Sequence, residues 1–114
     1  MPFIDLKTNV EVNKEKVESL KTSFGKIITT LPSKSETWLM VNISDKNNLF
    51  FQGKADPAAI LEVKVYGNAL NDSILNKCTG LLTSEVSKTL NIDSSRIYIN
   101  YFFTPYWGFD GSNF

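Results

Sequence analysis

The chain has 114 residues, a length that suits one domain, and a domain this small is often completed by oligomerisation. Its 12 basic and 12 acidic residues cancel, so no global field points to nucleic acid or an anionic membrane. Histidine is absent and Cys78 is the lone cysteine, which excludes a His-based triad and an intrachain disulfide and leaves no expectation of a zinc centre or another cofactor.

The opening residues, Met1-Pro2-Phe3-Ile4-Asp5, lack the basic start and apolar run of a signal peptide. No apolar run reaches the length of a membrane span. Cytosolic synthesis is expected, with any export following a non-classical route.

Residues 3–6 are a short apolar stretch interrupted by Asp5, which predicts a strand. Asn13 before Lys14-Glu15-Lys16 has the form of a helix N-cap. Val17, Leu20, Phe24, Ile27, Ile28 and Leu31 then step by three or four, as one face of a helix does. Gly25, Thr29 and Thr30 weaken that helix, and Pro32 stops it. Residues 38–43 are strongly apolar and predict a buried strand. A polar turn at 45–48 leads to a short strand predicted at 49–51. Residues 60–66 alternate Leu61, Val63 and Val65 against Glu62 and Lys64, the period of a strand.

The pattern then recurs. Asn71-Asp72-Ser73 supplies cap residues, and Ile74, Cys78, Leu81, Leu82, Val86 and Leu90 form a second helical stripe. Asn91 can close it in the left-handed conformation. Residues 97–103 predict a second long strand. Two strand-helix-strand (βαβ) units, offset by about sixty residues, place two helices on one face of a four-stranded mixed sheet. The predicted class is α/β, more narrowly α+β, with residues 1–114 as one domain.

Few residues suggest chemistry. Pro2 directly follows the initiator Met, where many chains carry Pro by chance. Once Met1 is removed, however, its nitrogen is a secondary amine. An ordinary α-amino group titrates near pH ~8, and burial or a nearby cation lowers this. Such an amine can act as a general base near neutrality. Asp5 also lies near the N-terminus, on a face that the alternation does not assign. Lys34 is either a solvated loop lysine or a cation that binds a carboxylate and depresses the amine. Trp107 and Phe109, near the C-terminus, read as core, interface or the walls of an aromatic pocket. Cys78 falls on an apolar stripe and reads as a packing residue.

Three segments together resemble the macrophage migration inhibitory factor family. Arg96-Ile97-Tyr98-Ile99-Asn100-Tyr101 is similar to the family's strand with an active-site tyrosine and asparagine. The ending Trp107-Gly108-Phe109-Asp110-Gly111-Ser112-Asn113-Phe114 resembles its Gly-aromatic-polar-polar-Ser-x-Phe terminus. Phe51-Gln52-Gly53-Lys54-Ala55-Asp56-Pro57 resembles its loop before the fourth strand. Pro2 and Lys34 fall where the family has its catalytic proline and a lysine.

The resemblance implies a homotrimeric tautomerase with each active site between subunits. Pro2 would be the base, and Lys34 with the backbone N–H of Tyr66 would hold the polar end of the substrate. Tyr98 and Asn100 would come from the adjacent subunit, while Trp107 and Phe109 would enclose the apolar part. The implied reactions are keto–enol tautomerisation of a small aromatic keto acid such as phenylpyruvate, and dopachrome isomerisation. A cytokine-like role at a cell-surface receptor is also implied. Trp38 stands where the family has a tyrosine, Tyr66 and Trp107 replace smaller residues, and Ala58-Ala59-Ile60-Leu61 replaces a Cys-x-x-Cys of some members. A secreted ligand with little catalysis, or a protein whose trimer is the functional surface, are the competing readings. Neither needs Pro2 or Lys34.

Overall fold

The computed structural model describes residues 1–114. Its sheet has the strand order β2-β1-β3-β4, where β1 is Pro2–Thr8, β2 Met40–Ser44, β3 Ala59–Tyr66 and β4 Ile97–Thr104. β1 runs parallel to β2, β3 parallel to β4, and the two pairs meet antiparallel at β1 and β3. Each parallel pair needs a crossover, and a helix supplies it: α1 (Lys14–Ile27) in the first half and α2 (Asp72–Leu90) in the second. A small hairpin, β5 (Gly108–Phe109) and β6 (Ser112–Asn113), ends the chain.

Alternation along the strands sorts the sheet into two faces. Ile4, Leu6, Leu61, Val63 and Val65 are buried against Leu20 and Phe24 of α1 and Cys78, Leu82, Val86 and Leu90 of α2. A large aliphatic or aromatic side chain buried in this way contributes about 1.5–3 kcal/mol. On the other face, the register aligns Phe3, Lys64 and Phe102 in one row and Asp5, Glu62 and Asn100 in another. The Lys64 ammonium lies 5.9 Å from the Phe3 ring centre and 5.8 Å from that of Phe102.

The caps form as their residue types predict. Asn13 accepts from the Lys16 N–H at 2.9 Å, and Asn71 from the Ile74 N–H at 3.0 Å. Asn91 closes α2 at φ 54°, ψ 48°. The first helix differs from expectation at its end: regular α-helix stops at Ile27 and a 3-10 turn, Ile28–Thr30, follows. The Thr29 and Thr30 hydroxyls donate to the Lys26 and Ile27 carbonyls, the local competition that disfavours these residues in helices.

Two strand expectations need correction. The segment at 38–43 is not a buried strand. Trp38 ends a 3-10 turn, Glu36–Trp38, and β2 begins only at Met40, as an edge strand with alternate residues exposed. Leu39, Val41 and Ile43 pack partly buried against the core, while Trp38 and Met40 face a cleft. Residues 49–51 form no strand, only the single bridge between Phe51 and Lys54. Gln52 and Gly53 there both adopt positive φ, 55° and 74°, and turn the chain back at once. Asn9 holds this loop by donating to the Leu49, Ala55 and Asp56 carbonyls and accepting from the Ala58 N–H.

Candidate active site

Pro2 opens β1, where its register partner is Val65 of β3. It is buried at the wall of a cleft of about 640 Å³ that also takes in Trp38, Met40, Trp107 and Phe109. The cleft exists because β2 starts late. The 3-10 turn before it turns Trp38 outward, and the C-terminal hairpin folds over to meet it. The Trp38 and Phe109 rings meet edge to face at 5.3 Å, a favoured aromatic geometry. Phe109 stacks on Phe114 at 6.5 Å, and Phe114 contacts Tyr66 at 5.2 Å. The Phe114 N–H donates to the Trp107 carbonyl at 3.0 Å, so the last residue is tied across the hairpin.

The polar end lies at the N-terminus. The Tyr66 N–H donates to the Met1 carbonyl at 3.0 Å. The Lys34 ammonium donates to the Tyr66 carbonyl at 3.1 Å. Lys34 and Tyr66 also border a neighbouring cavity of about 260 Å³. Burial of the Met1 amine holds it below the ordinary α-amino value, and the Lys34 charge lowers it further. An amine at this end of β1 therefore sits in surroundings that disfavour the ammonium form.

One chain thus brings together Pro2, Trp107 and Phe109, with Lys34 and Tyr66 joined to them through Met1. Tyr98 and Asn100 are not brought there. Both are exposed on the open face of β4, and Tyr98 pairs in register with Ile60, five residues along β3 from the partner of Pro2. Five residues of strand span about 17 Å. Tyr98 instead packs on Phe51 with ring centres 4.8 Å apart. Trp38 and Met40 complete the cleft, and Phe114 backs Phe109 from behind it. The spacing from Lys34 to an aromatic four residues later could have signalled Trp38, but no sequence pattern marks Met40.

The open face resolves the place of Asp5. Its carboxylate accepts from Asn42 at 2.9 Å and from Lys7 at 2.6 Å, away from the cleft. Burial pushes this carboxyl up, but the Asn42 and Lys7 hydrogen bonds and the nearby Lys charges outweigh it and bring it below the ordinary value. A carboxylate so held is a poor proton acceptor. No three His, Cys, Asp or Glu side chains gather where a metal ion could be held. No helix is long and apolar enough to cross a membrane.

The profile of the Macrophage migration inhibitory factor (MIF) family matches residues 1–114. The chain belongs to the MIF family. Among solved structures, it resembles Leishmania major MIF2 with a TM-score of 0.92 and 31% identity, covering 100% of this chain and 97% of that one. The MIF homologue of Prochlorococcus marinus matches with a TM-score of 0.82 and 25% identity, over 98% of each chain. The MIF of Toxoplasma gondii shares the fold at 19% identity and a TM-score of 0.86, over 98% of this chain and 99% of that one. No curated protein sequence matches the chain. The MIF assignment agrees with the architecture: two helices on a four-stranded mixed sheet built from two βαβ halves.

Proposed function

We propose that this MIF-family protein is a tautomerase that interconverts the keto and enol forms of phenylpyruvate-like acids, with dopachrome-type isomerisation as a related activity. The observation that carries this reading is the burial of Pro2 in the wall of an aromatic cleft, beside the Lys34–Tyr66 pair.

Removal of Met1 does two things at once in this mechanism. It converts the Pro2 nitrogen from an amide to a secondary amine. It also frees the Tyr66 N–H, which the Met1 carbonyl occupies. The freed N–H and the Lys34 ammonium bind the substrate carboxylate. The phenyl ring lies among Trp38, Trp107 and Phe109. The Pro2 amine takes a proton from the carbon beside the keto group, the C–H electron pair becomes the C=C bond, and the carbonyl oxygen gains the charge. The Pro2 ammonium then returns the proton to that oxygen, and the reverse sequence ketonises the enol. With no histidine in the chain and Asp5 on the open face, no other base lines the cleft.

A homotrimer completes the site in this reading. Tyr98 and Asn100 of a neighbouring copy reach the cleft that they cannot reach within their own chain. The supporting observation is the apolar surface a lone chain leaves uncovered: Met40 is 68% exposed, Phe50 66% and Tyr98 60%. Spectrophotometric assay of phenylpyruvate tautomerisation by Met1-free protein tests the proposal. Steady enol–keto conversion above the buffer rate is expected, and a rate equal to buffer would reject it.

A further inference from the structure

The loop at 32–38 carries two parts of the proposed site, Lys34 and Trp38, and little hydrogen bonding fixes it. The backbone N–H groups of Lys34, Trp38 and Leu39 donate only to carbonyls three residues back in the chain, those of Leu31, Ser35 and Glu36. The one bond reaching outward is that of the Lys34 ammonium to Tyr66. Between the two site residues stands Glu36. It is exposed, but its side chain lies across α1 at Gly25. A Cβ built on Gly25 would come within 2.9 Å of the Glu36 Cγ, and closer still to its carboxylate.

Gly25 is buried in the last turn of α1, where a glycine loses up to about 1 kcal/mol of helix stability relative to alanine. No turn or positive φ calls for glycine there. The space it leaves is filled by Glu36 alone among the nearest atoms. Lys21 lies one helical turn earlier on the same face of α1, and its ammonium feels the Glu36 charge, although its strongest partner is Glu18.

The geometry points to Glu36 as a positioning residue: seated on Gly25, it fixes the loop so that Lys34 stays at the Tyr66 carbonyl and Trp38 at the cleft. This deepens the tautomerase reading and rests on it. Glu36 touches no substrate, and Gly25 contributes only the absence of a side chain. Lys34 is two residues before the seat and Trp38 two after, so a shift of the seat moves both ends of the bound acid together.

Four variants test this: Gly25→Ala, Glu36→Ala, the double variant, and Glu36→Gln, which keeps the shape. Gly25→Ala and Glu36→Ala should each raise KM for phenylpyruvate about threefold or more with kcat little changed, as loss of ground-state positioning does. The double variant should be no worse than either single one, because both remove the same contact. Glu36→Gln should keep the wild-type KM. Thermal unfolding reads the seat without reference to activity. Gly25→Ala should lower Tm when Glu36 is present and raise it in the Glu36→Ala background, where only helix propensity remains. A raised Tm in both backgrounds overturns the seat. Unchanged KM in all variants, or additive effects, overturns the positioning role. A wild type without turnover overturns the tautomerase reading and this role with it, while the Tm cycle still reports on the seat.

Discussion

The Lys34 ammonium and the Tyr66 carbonyl meet at 3.1 Å, linking the loop after α1 to the end of β3. That contact holds a cation beside the N-terminus, next to a backbone N–H whose only partner is the carbonyl of Met1. In the mature protein the two donors would converge on a carboxylate. Lys34→Ala removes a charge-assisted hydrogen bond of about 1.5–3 kcal/mol. KM for phenylpyruvate should rise roughly tenfold or more, with a smaller change in kcat. Steady-state kinetics that give an unchanged KM would remove Lys34 from the substrate site.

The pH profile carries independent information. The base must be neutral to act, so kcat/KM should rise with pH through the pKa of the Pro2 amine. Burial and the Lys34 charge depress an amine at this end of β1, so the acid limb should lie below the ordinary value of about 8. Lys34→Ala removes the cation, stabilises the ammonium and should move the limb to higher pH. A limb that stays in place or moves to lower pH would show that Lys34 does not act on the base.

Much of this architecture was legible in the chain. The strand and helix periods, the Asn13 and Asn71 caps and the left-handed Asn91 all follow from local chemistry, and local chemistry decided them. The segment at 38–43 was misleading because only Leu39, Val41 and Ile43 pack against the core, and only partly, while Trp38 and Met40 face a cleft. Composition cannot distinguish a strand buried by its own chain from one left for another surface to cover. The loop at 49–58 was illegible for a different reason. Its shape depends on Asn9, some forty residues earlier, which bonds to three carbonyls that no local pattern connects. Pro2, Trp107 and Phe109 line one cleft. Met40 joins them only through the late start of β2.

Asp5 makes a prediction about stability. Its carboxyl titrates below the ordinary value in the folded chain, since the bonds from Asn42 and Lys7 outweigh the effect of burial. A depressed folded value means stability that is present above the unfolded value, near 3.8, and lost as pH falls through the folded one. Asp5→Asn should lower Tm at pH 7 and flatten the loss of stability below pH about 4. Identical acid-unfolding profiles for the two proteins would contradict this account of Asp5.

Assembly is testable without any substrate. Exposed Met40, Phe50 and Tyr98 and the uncovered edge of β2 should be buried between copies. Light scattering at micromolar concentration should report three times the chain mass. A monomer would leave Tyr98 and Asn100 without access to the Pro2 cleft and would reject the shared site.

In the proposed mechanism the Pro2 amine, uncovered by loss of Met1, is the base. Pro2→Gly should keep the fold but lower turnover substantially, because a primary amine on a flexible residue is a weaker and more mobile base. The most direct measurement compares two preparations of the same chain whose N-termini are verified by intact mass, one beginning at Pro2 and one retaining Met1. Phenylpyruvate turnover is expected from the first and none above buffer from the second. Full turnover by the protein that keeps Met1 would place the base elsewhere and contradict the account.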